Sequence, residues 1–225
     1  MPDRSPDDLP SDDRRPDLDA ILDAAEYLVV NDGFDAVSAS RIASRLGVDP
    51  ASVTTAFGTL DELFVAMLNR EYAAIFRVII DHVERDPLGG LLSRIYRYTL
   101  AAVYERPLAT ALYLADRDGL NTIMRATHGF VYIPGAGIRS EFIDTMKEIG
   151  MVRHDVDSQH LSALISAVSA GAALTAPHTN GLDGISDGLA LLLARGVDMD
   201  VTDTSAGKVA FVDFATSLAA PPDRG

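Results

Sequence analysis

The side chains best suited to recognition chemistry in this chain lie between residues 38 and 57, SASRIASRLGVDPASVTTAF. Serine and threonine hydroxyls bond phosphate oxygens and base edges, guanidinium groups pair with phosphates, and a threonine methyl can touch the methyl group of thymine. We therefore predict that this segment contacts nucleic acid. The predicted contact residues are Ser38, Arg41, Arg45, Ala51, Ser52, Thr54 and Thr55.

Catalytic and metal-binding patterns are scarce by contrast. The chain has no nucleophile-elbow, zinc-protease or phosphate-loop motif, and it has no cysteine. Histidines and aspartates at positions 154, 155, 157 and 160 have a spacing that could hold a metal ion, but acidic capping of the following helix explains them more simply. We predict no enzymatic activity, no cofactor and no metal site.

Two short helices joined by a three-residue turn would position the recognition side chains. Ser38 is a suitable N-cap for the first helix, and Gly47 can adopt the left-handed conformation that ends it. Asp49 caps the second helix, and Pro50 fills its first position. Two helices crossing through a short turn form a helix-turn-helix, whose second helix enters the major groove of DNA. The pattern indicates a transcription regulator.

A longer ordered pattern extends over residues 21–64, and its members are Ile21, Ala24, Ala25, Gly33, Phe34, Ser38, Ile42, Ala43, Leu46, Gly47, Val48, Phe57, Glu62 and Leu63. This pattern resembles the N-terminal domain of the TetR family of bacterial repressors. The resemblance implies a homodimeric, ligand-responsive repressor that binds palindromic operator DNA. It also implies a three-helix domain over residues 18–64 and a helical ligand-binding and dimerisation domain over residues 65–219.

The segment departs from the family pattern where DNA would be touched. The family's usual aromatic after the Val53 position is Thr54 here, and its usual lysine before the fourth helix is Leu60. The formal net charge of −14 is also unfavourable for phosphate binding. The alternative is therefore a TetR-like dimer that no longer binds DNA and serves as a small-molecule or protein-binding module.

The N-terminal residues 1–17 contain four prolines and few apolar side chains. Such a composition cannot bury enough surface to fold, so we predict a disordered acidic arm. Arg14 and Arg15 could form a minor-groove arm, but the aspartates that precede them favour a solvated tail.

The remainder of the chain has the periodicity of helices, which predicts an all-α fold. Helices are expected at 18–32, from 60 to 81 or beyond, and at 91–105, 107–116, 118–127, 138–149, 157–175, 184–195 and 205–218, with a loop at 128–137. Residues 161–182 carry no charge, but their serine, threonine and asparagine content favours a packed helix over a membrane span. With no signal peptide in view, we predict a cytoplasmic protein with no membrane partner.

A stripe of small residues, Ala163, Ala167 and Gly171, recurs every fourth position in the helix at 157–175. Small residues in line let a second helix approach closely. The TetR resemblance implies that the C-terminal helices form a four-helix bundle across a two-fold axis, so we predict a homodimer interface formed by this stripe together with Leu189 and Leu193. An internal core helix is the alternative.

Aromatic and methionine side chains of residues 65–219 suggest a pocket for an apolar or amphipathic small-molecule effector. The predicted ligand-binding residues are Phe76, Tyr98, Tyr113, Met124, His128 and Phe142. Ordinary core packing is the alternative for each of them.

Overall fold

The computed structural model describes residues 17–111, 139–175 and 182–219, and in these ranges the fold is all-α, as predicted. The helices are α1 (Leu18–Asp32), α2 (Ala39–Leu46), α3 (Pro50–Phe57), α4 (Leu60–Arg85), α5 (Leu92–Tyr104), α6 (Pro107–Thr110), α7 (Ser140–Glu148), α8 (Ser158–Thr175), α9 (Leu182–Gly196) and α10 (Ser205–Ala219). A 3-10 turn at Phe34–Ala36 joins α1 to α2.

Most helix predictions that fall on described residues are confirmed within two or three positions. The bounds of the first helix are as predicted, and α4 continues to Arg85. Residues 1–16 of the arm predicted at 1–17 lie outside the described residues. The same is true of the predicted helix at 118–127, the predicted loop at 128–137 and residues 112–116 of the predicted helix at 107–116. No helix in the described ranges is both long enough and apolar enough to cross a bilayer.

The buried apolar side chains form two clusters. The first joins α1, α2, α3 and the start of α4, and we call residues 18–68 the headpiece. The second joins the later turns of α4 with α5, α7, α8, α9 and α10, and we call the described residues from 69 onward the body. Helix α4 contributes to both clusters, with Met67 in the first and Ile79 in the second. The helix therefore runs without a break across the predicted domain boundary at residue 64.

The short helix α6 belongs to the body by sequence and contributes to both clusters, with Leu108 in the headpiece cluster and Ala109 in the body cluster. Leu108 is fully buried in the headpiece cluster. The residue before α6, Arg106, donates through Nε and NH2 to the two carboxylate oxygens of Glu71 on α4, at 2.8 and 2.5 Å. Glu71 is only 4% exposed. A buried two-bond ion pair thus fixes α6 against α4 beside the headpiece.

The loop between α4 and α5 crosses the first turn of α10 in direct backbone contact. A Cβ atom added to Gly207 would lie 2.0 Å from the carbonyl oxygen of Gly90, and one added to Gly90 would lie 2.0 Å from that of Thr204. The Thr204 hydroxyl accepts from the Gly90 amide at 3.3 Å and donates to the Pro87 carbonyl at 2.9 Å. Only glycine fits at this crossing.

Helix α5 takes its N-terminal cap from a distant segment. Its own N-cap residue, Leu91, offers no side-chain hydrogen bond. Instead the Ser93 amide donates to Oδ1 of Asp198, at 3.4 Å. Asp198 is 8% exposed and its Oδ2 atom has no hydrogen-bond partner. Burial raises the pKa of this carboxyl group to about 6 from its ordinary 3.8.

This buried carboxyl group predicts a pH-dependent stability. The folded state binds the Asp198 proton more tightly than the unfolded state, so the free energy of unfolding gains about 1 kcal/mol from this group as the pH falls from 8 to 5. Asp198→Asn keeps an acceptor for Ser93 but cannot ionise. We expect it to unfold at higher urea concentration than the wild type at pH 8 and to lose this pH dependence.

The exposed neighbouring change Asp200→Asn serves as the control, because it should leave the stability difference between pH 8 and pH 5 unchanged. The prediction would be wrong if the urea midpoints of the wild type and Asp198→Asn changed by the same amount between pH 8 and pH 5.

Candidate nucleic-acid interface

Local capping builds the two-helix unit at residues 38–57 as the sequence predicted. The Ser38 hydroxyl accepts from the Arg41 amide at 3.2 Å, and Gly47 ends α2 in the left-handed region with φ 68°. The Asp49 carboxylate accepts from the Ala51 amide at 2.7 Å, and Pro50 occupies the first position of α3. One backbone amide in the first turn of each helix thereby has a side-chain partner within the chain.

The inner faces of α2 and α3 pack into the headpiece and leave the outer face of α3 open. Ile42 is fully buried and Val53 is 2% exposed. Three of the predicted contact residues on α3, Ala51, Thr54 and Thr55, are exposed, and Ser52 is half-buried. Residues 51, 54 and 55 are related by i, i+3 and i+4, so they share one helix face. That face consists of small side chains directed away from the protein.

The two threonine hydroxyls on this face donate within their own helix. Thr54 Oγ1 donates to the Pro50 carbonyl at 3.3 Å, and Thr55 Oγ1 donates to the Ala51 carbonyl at 2.8 Å. Threonine hydroxyls in helices often donate to the carbonyl of the residue four positions earlier. The oxygen lone pairs and the methyl groups remain for a partner.

Both predicted arginine contacts are exposed, and each already has a partner within the headpiece. Arg41 forms an ion pair with Asp32 at 2.6 Å and also donates to the Ala36 carbonyl at 3.3 Å. The guanidinium carbon of Arg45 lies 3.3 Å from the centre of the Tyr27 ring, a cation–π contact. Sequence reasoning missed both partners, since Asp32 and Tyr27 belong to α1 and meet α2 only in the folded headpiece.

The entry to α4 lies beside this surface and is acidic. Thr59 and Glu62 form a reciprocal capping box, with the Thr59 amide donating to Glu62 Oε2 at 3.0 Å and the Glu62 amide donating to Thr59 Oγ1 at 3.2 Å. Leu60, where the family pattern has lysine, is 39% exposed. A leucine there contributes no charge for phosphate.

Comparison with known proteins shows what this helix-turn-helix resembles. Residues 21–67 match the family model described as bacterial regulatory proteins, tetR family. The match falls on the headpiece, which is therefore similar to the TetR family of bacterial regulatory proteins. The chain is also 33% identical over 91 residues to the HTH-type transcriptional repressor BdcR of Escherichia coli strain K12. That match covers 40% of this chain and 46% of BdcR, less than half of either protein.

Solved structures show a likeness in fold that extends over the body. The repressor SmeT of Stenotrophomonas maltophilia matches with a TM-score of 0.59 at 16% identity, covering 83% of this chain and 93% of that one. The regulator FadR of Bacillus subtilis, solved with stearoyl-CoA, matches with a TM-score of 0.58 at 12% identity, covering 80% of this chain and 99% of that one. At these identities the likeness concerns the fold alone.

The predicted ligand-binding residues do not form one described site. Phe142 lines a pocket of about 640 Å³ between α7 and α10, where its ring stacks on Phe214. Tyr98 instead donates its hydroxyl to Asp86 at 2.6 Å and stacks on His82. Phe76 is partly buried against the body cluster. Tyr113, Met124 and His128 lie outside the described residues.

The predicted dimer residues divide into two groups. Ala163 and Ala167 are exposed and Gly171 is half-buried, so this stripe on α8 is available to a partner. Leu189 and Leu193 are only 8% and 3% exposed. Their side chains pack in the body cluster of one chain, and their place in a dimer surface stays a prediction. The exposed leucines on α9 are Leu191 and Leu192, at 51% and 69%.

The histidine and aspartate cluster at 154–160 makes structural contacts. Asp157 accepts from the His160 amide at 2.8 Å, which caps the start of α8 and holds the pKa of Asp157 below its ordinary value. Asp155 pairs with Arg153 at 2.8 Å. Within the described ranges no three His, Cys, Asp or Glu side chains are placed to hold a metal ion.

Proposed function

We propose that this protein is a homodimeric, ligand-responsive repressor whose headpiece binds palindromic operator DNA through α3. The observation that carries the proposal is the exposed face of Ala51, Thr54 and Thr55 on the second helix of a capped helix-turn-helix. A helix presented in this way fits the major groove, which admits one α-helix. The family match over residues 21–67 supports the same reading.

The dimer would place two headpieces on the two half-sites of a palindrome, since the symmetry of such DNA mirrors that of the protein. Exposed leucines on α8 and α9, namely Leu164, Leu191 and Leu192, supply apolar surface for a partner copy beside the Ala163 and Ala167 stripe. Light scattering at micromolar concentration should give twice the chain mass. A mass of 24.0 kDa under these conditions would overturn the dimer.

The effector in this proposal is an apolar or amphipathic small molecule bound in the body. Helix α4 spans both hydrophobic clusters, and the Glu71–Arg106 pair ties it to α6. A change of packing in the body would therefore move the headpiece as well. A ligand that binds more tightly to the conformation whose headpieces are not spaced for DNA would shift the protein toward that conformation and release DNA. The size of the shift is set by the difference between the ligand's affinities for the two conformations.

A second candidate is a dimer of the same fold that does not bind DNA. The observation that favours it is the engagement of Arg41 and Arg45 by Asp32 and Tyr27, which leaves few cations for phosphate. Phosphate contacts supply most non-specific affinity, so their loss would weaken every DNA complex. The two candidates differ in one measurable property, binding to operator DNA.

Fluorescence anisotropy with labelled duplexes that tile the DNA upstream of this protein's own gene, at low and moderate salt, separates them. We expect one duplex to bind more tightly than the rest at both salt concentrations. Thr55→Glu should abolish that binding, because a carboxylate on the outer face of α3 repels phosphate. Failure of every duplex to bind at low salt would establish the second candidate.

The matched control is Thr216→Glu in α10. Thr216 is exposed and its hydroxyl donates to the Val212 carbonyl at 2.8 Å, the same bond to the fourth preceding residue that Thr55 makes. The two variants add the same charge at equivalent helix environments. Only the change on α3 should affect DNA binding.

A further inference from the structure

We propose that the headpiece selects its DNA site through the 5-methyl groups of thymine, which pack against the methyl groups of Ala51, Thr54 and Thr55. The inference rests on the proposed function and specifies what the α3 face recognises. It follows from the contacts that remain possible once the partners already used inside the headpiece are removed.

Helix α3 has no side chain for the common hydrogen-bonded readout of purines. Guanine is read by arginine or lysine, and adenine by asparagine or glutamine. The sequence of α3, PASVTTAF, contains none of these residues. The arginines Arg41 and Arg45 lie on the neighbouring helix α2 and, although exposed, already contact Asp32 and Tyr27.

The two exposed threonine hydroxyls of α3 are already used as hydrogen-bond donors within the helix. Thr54 and Thr55 each give their hydroxyl hydrogen to a backbone carbonyl of α3. Their lone pairs can still accept from the amino groups of adenine and cytosine. Since both bases carry such a group in the major groove, acceptance alone does not separate A·T from G·C pairs.

The methyl groups are what distinguishes this surface. Thymine is the one DNA base with a methyl group on the major-groove edge. Ala51, Thr54 and Thr55 share one exposed helix face and each carries a methyl group. Packing methyl against methyl removes apolar surface from water at no cost to a polar group. The burial of each thymine methyl corresponds to about a fourfold gain in affinity.

The test uses the same upstream DNA amplified in two forms, one with dTTP and one with dUTP. Uracil pairs as thymine does and lacks only the 5-methyl group. We expect the dUTP product to bind about fourfold more weakly for each methyl contact, hence about fifteenfold for one contact in each half-site of a dimer. Equal affinity for the two products would overturn the inference while leaving the proposed function intact.

Two substitutions at Thr55 separate the methyl group from the hydroxyl. Thr55→Ser removes the methyl and keeps the hydroxyl, so it should weaken binding to thymine DNA and reduce the preference over uracil DNA. Thr55→Val keeps a methyl and removes the hydroxyl, so the preference should persist. A serine variant that discriminates as well as wild type, and likewise a valine variant that loses discrimination, would overturn the inference. Binding to neither product would overturn the proposed function and this inference with it.

Discussion

Arg106→Ala is expected to lower the free energy of unfolding by about 3–5 kcal/mol, the cost of leaving one member of a buried ion pair without its partner. Glu71 is 4% exposed and its two carboxylate oxygens both accept from Arg106. Without the guanidinium group, that carboxylate faces the packed junction of α4 and α6 uncompensated. Urea unfolding followed by circular dichroism measures the effect.

Two further variants make this prediction specific. Glu71→Gln in the Arg106→Ala background should recover part of the loss, because a neutral amide is cheaper to bury than a carboxylate. Arg85→Ala removes an exposed ion pair with Asp81 and should change stability by less than about 1 kcal/mol. If Arg106→Ala cost no more than Arg85→Ala, the Glu71–Arg106 pair would have no structural role.

Gly207→Ala is expected to destabilise the protein by about 3 kcal/mol, at the upper end of the usual cost of overpacking. Its new Cβ atom would lie 2.0 Å from the Gly90 carbonyl oxygen, and this neighbour is backbone rather than a flexible side chain. To relieve the clash, α10 must shift away from the loop between α4 and α5. The Thr204 bonds to that loop would stretch at the same time. Thermal unfolding should show the loss as a lower melting temperature.

Gly188→Ala is the matched control, since it makes the same change at a helical glycine whose added Cβ atom meets nothing within 4 Å. Alanine has the higher helix propensity, so this variant should be more stable than wild type by about 0.5–1 kcal/mol. The two variants should therefore change the stability of the protein in opposite directions. A stabilising Gly207→Ala change would mean that the crossing is looser than the backbone distances indicate.

Local signals in the sequence were sufficient to predict the helix-turn-helix. Its helix-capping residues affect only backbone amides and dihedral angles within four residues of themselves, so their roles can be predicted without knowing the fold. These residues are Ser38, Gly47, Asp49 and Pro50. The start of α4 was predictable for the same reason from Thr59 and Glu62.

Contacts between distant segments were not predictable in this way. The pairing of Arg41 with Asp32 depends on how α2 packs on α1, and the Asp198 cap of α5 joins residues 105 positions apart. The burial of Leu189 and Leu193 in the body cluster was not predictable for a related reason. Periodicity shows that a helix has an apolar face, but it does not show whether that face meets the same chain or another one.

The position of Leu108 has a consequence for any attempt to isolate the headpiece. The headpiece cluster includes Leu108, which lies forty residues beyond the end of the headpiece at residue 68, and this side chain is fully buried there. A fragment ending at residue 68 would have a leucine-sized hole in its interior, a defect that typically costs 2–5 kcal/mol, or about as much as a small domain has in reserve. The headpiece and the described part of the body therefore share buried packing at Leu108, and we expect a change at this position to lower the stability of both.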